Sequence, residues 1–199
     1  SLLDSEWSLT EDCENAEVCV INTCTVTQKA SMQSRQAIRK AIRSNPDARV
    51  IVTGCYAQIA PQEINKIEGV DTMVGHDKKL SISRLFGSDS NDASENQISS
   101  VGDTHQTGRF QLMPTATSTS RTRPILKIQD GCNAFCTYCV VPYARGRSRS
   151  VPLDNVLQGI EELDQAGFHE VVLTGIHLGA YGHDLEPATN LAGLLARIE

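Results

Sequence analysis

Three cysteines, Cys132, Cys136 and Cys139, have C-x-x-x-C-x-x-C spacing directly after an apolar segment at 125–128. This spacing can fold three thiolates around one point on a short loop. A structural zinc site takes four ligands, and most iron–sulfur clusters take four cysteines. A cubane cluster held by only three has one iron open to another ligand, which makes it a chemical site. A zinc loop with a distant fourth ligand, or reduced structural thiols, are the alternatives.

Two more cysteines follow apolar runs of strand length. Cys24 comes shortly after residues 18–21, and Cys55 follows residues 49–53 and a glycine. Functional sites in open α/β sheets form beyond the carboxyl ends of strands, so we expect both cysteines at that edge. The chain has seven cysteines, an odd number in irregular clusters. This usage favours a reducing compartment and metal chemistry over a disulfide framework.

The first part of the chain alternates strands and helices. The apolar runs predict three buried strands, and the segments between and after them have helical periodicity and caps. The strands are 18–21, 49–53 and 72–74, and the helices are 28–43, 61–69 and 78–86. This alternation predicts an α/β domain with a flavodoxin-like βαβ parallel sheet at 1–86.

Residues 87–122 are polar, which predicts a linker with a short strand near 110–112. The structured pattern returns at 123–199 with four predicted elements. These are a strand at 125–129, a helix from Pro152 to Ala166 capped by Gly167, a strand at 170–174 and a helix from Asn190. Strand–helix–strand–helix is the start of a TIM-type barrel, which commonly needs ~250 residues. The absent initiator Met and the helical end lead us to expect a fragment.

Charge is segregated along an acidic chain of formal net charge -6. Residues 1–24 carry six acids and no Lys or Arg, whereas 25–49 carry six bases against Asp47, a net of +5. Residues 121–150 also carry six bases against one acid, Asp130. Two basic islands can guide an anionic substrate, although solvated faces explain each island equally simply. No apolar run reaches the ~18 residues of a membrane helix.

Four motifs, in order, resemble the radical S-adenosylmethionine (SAM) methylthiotransferases, which insert sulfur into a C–H bond and methylate it. They are VINTCTVT at 20–27, VTGCYAQ at 52–58, the block at 127–149, and LTGIHLGAYG at 173–182. The first and last are similar to the members that modify threonylcarbamoyladenosine beside the tRNA anticodon.

The resemblance implies two [4Fe–4S] clusters. Cys132, Cys136 and Cys139 would hold the radical SAM cluster, with SAM on its open iron. Cys24 and Cys55 would be two of three ligands of an auxiliary cluster that handles sulfur, and the third ligand would lie upstream of Ser1. Cys13 and Cys19 do not match that third position.

Three further predictions concern SAM. Tyr138, just before the third cysteine of the loop, could pack on its adenine, and Gly175 could allow a close backbone approach to its amino group. His177 could line the same site. Simple loop packing, a strand-end turn and a structural histidine are the respective alternatives.

Arginines supply a further set of predicted contacts. Arg145, Arg147 and Arg149 could meet SAM carboxylate or tRNA phosphate, with solvated loop arginines as the alternative. The basic helix from Lys29 to Arg43 could also touch tRNA.

The resemblance implies a cytoplasmic, monomeric enzyme that methylthiolates C2 of threonylcarbamoyladenosine in tRNA and receives electrons from a flavodoxin or ferredoxin, without a membrane. We expect this stretch alone to be inactive. One alternative is a methylthiotransferase for isopentenyladenosine tRNA or a ribosomal protein. Another, from a different class, is a non-catalytic iron–sulfur or zinc module that binds RNA.

Overall fold

The computed structural model describes residues 8–10, 12–75, 78–79, 82, 101–102 and 122–198. The chain divides into two compact units. One is drawn from Ser1–Thr104 and Thr137–Arg145, and the other from His105–Cys136 and Gly146–Glu199. The predicted domain boundaries stay predictions, because only residues 101–102 and 122 of the expected linker are described.

The first unit contains a three-stranded parallel sheet in the order β1-β2-β3. Its strands are β1 (Val18–Thr23), β2 (Arg49–Gly54) and β3 (Thr72–Val74), so the three predicted strands are confirmed. β2 lies in the middle and is buried from Val50 onward. A strand that is covered on both faces has a continuous apolar sequence, and this is why β2 can be predicted from the sequence.

The first crossover is the helix α1 (Gln28–Ser44), as predicted. It begins after Thr27, whose hydroxyl accepts a hydrogen bond from Ala30 N at 3.0 Å, the usual N-cap arrangement. Its buried side is formed by Ser34, Ile38 and Ala41.

The first unit also contains three short α-helices. α2 (Cys55–Ile59) starts directly at the end of β2, and α3 (Pro61–Asn65) follows with Pro61 at its start. α4 (Val141–Arg145) packs against α2. Neither α2 nor α4 was predicted, because five residues are too few to show a helical period. α3 ends four residues before Gly69, which the sequence predicts as its end.

The second unit pairs β4 (Ile125–Lys127) with β7 (Val172–Thr174) in parallel, as expected for consecutive barrel strands. The predicted strand at 125–129 is broken, because the chain changes partner after Ile128. β5 (Gln129–Asp130) pairs antiparallel with β6 (Arg149–Ser150). The continuous-strand prediction was wrong there, since periodicity does not reveal which strand a segment pairs with.

Two helices cover this second unit. α5 (Leu153–Gln165) follows Pro152, and Gly167 ends it with φ of 86°. The last helix is α6 (Leu191–Ile198). The core of the unit contains Tyr181, whose hydroxyl donates to Val151 O at 3.0 Å. Burial raises the pKa of Tyr181 to about 12, so the phenol stays protonated.

Two predicted elements fall largely outside the described residues: the helix at 78–86 and the strand near 110–112. In the part of the chain that is described, no helix is both long and apolar enough to cross a membrane.

We expect Ile38→Ala to lower the free energy of unfolding by about 2–5 kcal/mol, because Ile38 is 0% exposed between α1 and the sheet. Met32→Ala is the matched control on the same helix, where Met32 is 46% exposed. Chemical denaturation followed by circular dichroism measures both. Equal losses for the two variants would contradict the assigned face of α1.

Candidate functional site

The carboxyl edge of the first sheet carries two cysteines on adjacent strands. Thr23 of β1 is the register partner of Gly54 of β2, and Cys24 and Cys55 are the next residues. Both are free thiols; Cys24 is exposed and Cys55 is buried. The strand register therefore places both cysteines at the predicted edge of the sheet.

Ser34 of α1 holds the backbone of Cys24. Its hydroxyl accepts from Cys24 N at 3.0 Å and donates to Cys24 O at 2.9 Å. Ser34 is buried, and this pair of partly buried bonds ties the loop after β1 to the helix. Removing this hydroxyl would leave two backbone groups without a partner, at a cost of about 1–3 kcal/mol for each buried one.

Thr23 ties the same edge to β2 and α2. Its hydroxyl donates to Thr53 O at 2.6 Å and accepts from Ala57 N at 3.3 Å. Gly54 precedes α2 and offers no side-chain cap, so the Thr23 hydroxyl satisfies a first-turn N–H instead.

Gly54 is required by geometry. Its φ is 102°, and a Cβ there would overlap Thr23 O and lie 2.7 Å from Thr23 N. Only glycine lets the end of β2 lie this close to β1 before the chain turns into Cys55.

Tyr56, next to Cys55, is the centre of a polar cluster. Its hydroxyl donates to Glu63 Oε2 at 2.6 Å and accepts from Arg35 Nη1 at 2.7 Å. Burial raises the pKa of Tyr56, and the bond to Glu63 raises it further, against the opposing effect of Arg35. The residue after Cys55 is thus anchored to α1 and α3.

The remaining two cysteines of the first unit, Cys13 and Cys19, belong to its apolar core or pack against it. Cys19 is buried in the core, and its thiol donates to Cys13 O at 3.8 Å. Burial, followed by a hydrogen bond with the Cys13 side chain, raises the pKa of Cys19 to about 12. A thiol held neutral in this way is a poor metal ligand, because ligation requires the thiolate.

The three-cysteine loop begins at a glycine in the left-handed region, which glycine adopts without strain. Gly131 has φ of 72°, and a Cβ there would overlap the Arg147 carbonyl group. Cys132 N donates to Gly146 O at 3.1 Å, and Ser148 N donates to Asn133 Oδ1 at 3.0 Å. The start of the loop is therefore pinned to the segment just before β6.

Within the loop, the Cys132 sulfur accepts a hydrogen bond from Ala134 N at 3.5 Å. Phe135 has φ of 45°, an uncommon left-handed conformation for a residue with a side chain. Cys136 is exposed, whereas Cys132 and Cys139 are partly exposed, and all three are free thiols. Tyr138 is 89% exposed.

The donor chemistry suits iron–sulfur ligation, since such clusters take cysteine thiols and all five are free, although Cys55 is buried. The side chains are not gathered: among the described residues, no three His, Cys, Asp or Glu are grouped as a metal site. The assignment of all five cysteines as ligands stays a prediction.

Gln129 connects the cysteine loop to the segment after β7. It is 0% exposed. Its amide nitrogen donates to Asp130 O, Gly131 O and Ser148 Oγ at 2.8–3.0 Å. Its amide oxygen accepts from His177 N at 2.8 Å.

Gly175 and His177 both lie against this glutamine. A Cβ at Gly175 would be 2.9 Å from Gln129 Oε1, so the glycine is explained by the close approach of the two segments. His177 is exposed, and its backbone N–H is what Gln129 binds. Their predicted contacts with SAM stay predictions.

A cavity of about 290 Å³ opens beside these residues in the second unit. Its wall is mostly polar or small side chains: Asn133, Ala134, Ser148, His177, Ala180, His183 and Asp184. Asp184 is itself fixed by Ser150, whose N and Oγ donate to the two carboxylate oxygens at 2.8 and 2.6 Å. The size is near the lower end for small-molecule pockets.

The three predicted arginines differ in setting. Arg147 is exposed and Arg145 is partly buried in α4. Arg149 lies 3.9 Å from the buried carboxylate of Asp130, which Lys127 contacts at 2.9 Å. Arg149 thus neutralises a buried acid, a role that the sequence did not indicate.

Sequence reasoning missed Gln129 and Ser34. A signal existed for each. Gln129 is a polar residue at the end of an apolar strand, immediately before the loop. Ser34 stands on the apolar stripe of α1, four residues from Ala30 and from Ile38.

Two family models match this chain. Residues 1–75 match the model described as "Uncharacterized protein family UPF0004", and residues 126–190 match "Radical SAM superfamily". These two matches contain the sheet-edge cysteines and the three-cysteine loop respectively.

Relatives share most of the chain. It is 44% identical over 94% of its length to "Threonylcarbamoyladenosine tRNA methylthiotransferase MtaB" of Bacillus subtilis, and 45% identical over 85% to the Aquifex aeolicus protein of the same name. It is 31% identical over 96% to "tRNA-2-methylthio-N(6)-dimethylallyladenosine synthase" of Fusobacterium nucleatum. It spans only 41–44% of these relatives' own lengths.

The two domain matches and the relatives define the class: the chain belongs to the radical SAM methylthiotransferases. Within that class it is similar to the MtaB proteins.

We expect Gly54→Ala to destabilise the fold by several kcal/mol, because a Cβ meets backbone atoms of β1 that cannot retreat. Gly167→Ala is the control. Gly167 also has positive φ, 86°, but nothing lies within 4 Å of its added Cβ, so only about 1 kcal/mol should be lost. Thermal melts compare the two variants, and equal shifts would contradict a steric requirement at Gly54.

We expect Gln129→Met to lower the free energy of unfolding by about 3 kcal/mol, because it leaves buried partners of the amide unsatisfied. Hydrogen exchange should also become faster at the His177 amide, which loses its acceptor. Gln165→Met, at an exposed position, is the control. Unchanged protection of His177 N–H in Gln129→Met would show that the amide does not tie the two segments together.

Proposed function

We propose that this protein methylthiolates C2 of threonylcarbamoyladenosine in tRNA, using SAM. The observation that carries the proposal is the pairing, in one chain, of a three-cysteine loop after β5 with cysteines at the carboxyl edge of the first sheet. The similarity to the MtaB proteins over most of the chain supports the substrate.

Radical chemistry suits this reaction. The C2–H of an adenine base is neither acidic nor electrophilic enough for polar insertion of sulfur, so a one-electron route is needed. Cys132, Cys136 and Cys139 would hold one [4Fe–4S] cluster, and Cys24 and Cys55 would supply two ligands of a second. When bound, these groups supply the electron that cleaves SAM and the sulfur that is inserted.

The protein's own part is to position the cysteines and the wall of the cavity. Gln129 fixes the start of the cysteine loop against the segment at 175–177, so the loop and the cavity wall are held by one buried amide. The Ala134 N–H donates to the Cys132 sulfur, so the backbone of the loop helps to orient that sulfur. Ser34 holds the backbone of Cys24, and Thr23 ties the end of β1 to β2, while the Cys24 side chain stays accessible.

The remaining assignments extend the proposal. Tyr138, Gly175 and His177 would contact SAM, while Arg145, Arg147 and Arg149 would contact substrate phosphate or the SAM carboxylate. A flavodoxin or ferredoxin would supply electrons to a monomeric, cytoplasmic enzyme. The domains would be 1–86, a linker at 87–122, and the beginning of a barrel at 123–199.

One observation favours a second candidate substrate, dimethylallyladenosine in tRNA. The Fusobacterium relative is named for dimethylallyladenosine and matches 96% of the chain. The same residues would then act on a different adenosine.

We expect Cys132→Ala in the full-length protein to lose iron and to form no 5′-deoxyadenosine from SAM and dithionite after anaerobic reconstitution. Cys24→Ala should still form 5′-deoxyadenosine but yield no methylthio-adenosine in tRNA, because the two cysteines belong to different clusters. Liquid chromatography with mass spectrometry detects both products. Cys13→Ala is the matched control and should retain both.

Different failures point to different errors. Wild-type protein that binds only zinc, or that forms no 5′-deoxyadenosine, would favour a non-catalytic module. Radical activity with a methylthio group on dimethylallyladenosine, or on a ribosomal protein, would replace the substrate and keep the chemistry.

A further inference from the structure

The solvent side of α1 carries a row of cations. At ~100° per residue, Lys29, Lys40 and Arg43 lie within about 60° of one another, directly opposite the buried Ser34, Ile38 and Ala41. Arg39 lies at the edge of the same sector. We call Lys29, Arg39, Lys40 and Arg43 the basic face of α1; all four are exposed.

These charges are not balanced locally. α1 contains no Asp or Glu. Among the described residues, none of the four cations of the basic face takes part in an ion pair. Arg35 of the same helix differs, since it lies beside Glu63 and Tyr56. A basic stripe that has no acidic partner among the described residues, on a chain of net charge -6, attracts a polyanion locally.

The shape of the face favours a nucleic-acid backbone over a protein. From Lys29 to Arg43 the row is about 21 Å long, at 1.5 Å per residue. Protein interfaces centre on buried apolar and aromatic side chains. On α1, all of whose residues are described, Met32 is the one large apolar side chain that is exposed. Phosphate binding needs only positioned cations.

We infer that the basic face of α1 is a docking surface for the phosphate backbone of the RNA substrate, so that the first unit takes part in holding it. The inference rests on the proposed function for the presence of RNA, and adds where that RNA is bound. Interactions of this kind with phosphates add affinity without sequence specificity.

The test measures binding of the full-length protein to an unmodified, fluorescein-labelled tRNA transcript by anisotropy, from 50 to 200 mM KCl. Lys40→Gln with Arg43→Gln should weaken binding about tenfold at 100 mM KCl. The slope of log affinity against log salt should fall by about 2, one for each phosphate that the variant no longer neutralises. Glutamine suits helices, so α1 should persist, with an unchanged melting temperature.

Lys66→Gln with Arg197→Gln is the matched control. It removes the same charge from two exposed positions outside α1. Its affinity and salt slope should stay close to those of wild type. An equal weakening in this control would mean that net charge, and not the basic face, matters, and would overturn the inference.

Two further outcomes would overturn it. If wild type binds tRNA and the α1 double variant binds equally well with the same salt slope, the RNA lies elsewhere and the proposed function stands. If tRNA binding is unchanged but reduction by an acidic flavodoxin slows in the variant, the face serves an electron-transfer protein. Absence of tRNA binding by wild type would count against the substrate class as well.

Discussion

The second unit depends on one buried amide. Gln129 is fully enclosed and uses both ends of its side chain, donating toward the cysteine loop and Ser148 and accepting from the backbone of His177. Such a group is costly to bury and is stabilising only when its partners are all in place. The strand changes partner at this residue, and the glycine at position 175 leaves room for its side chain.

The first sheet secures its cysteines differently. There the hydroxyl groups of Thr23 and Ser34 hold backbone atoms, and Gly54 allows two strand ends to approach closely. The parallel register then delivers Cys24 and Cys55 at adjacent positions. In both units the cysteine backbone is tied by neighbours while the thiols of Cys24 and Cys132 remain accessible, an arrangement that suits metal ligation.

The two basic islands of the sequence, at 25–49 and 121–150, have different surroundings in the folded chain. The sequence shows two basic islands of similar size, and composition does not distinguish them. In the folded chain, Arg149 and Lys127 of one island lie beside the buried carboxylate of Asp130, where they offset its desolvation. The basic face of α1 meets solvent on the other side of a helix whose apolar stripe covers the sheet. The two basic islands differ because one lies beside a buried acid, Asp130.

The sequence by itself determined the alternating α/β pattern, the parallel sheet and the family. These depend on local periodicity, caps and cysteine spacing, which neighbouring residues carry. Tertiary structure alone decided the partner of Gln129, the register that aligns Cys24 with Cys55, the short helices α2 and α4, and the pairing of Arg149 with Asp130. Each of these joins residues distant in the chain, or segments too short to show a period. Their energy comes from interactions that exist only once the chain has folded.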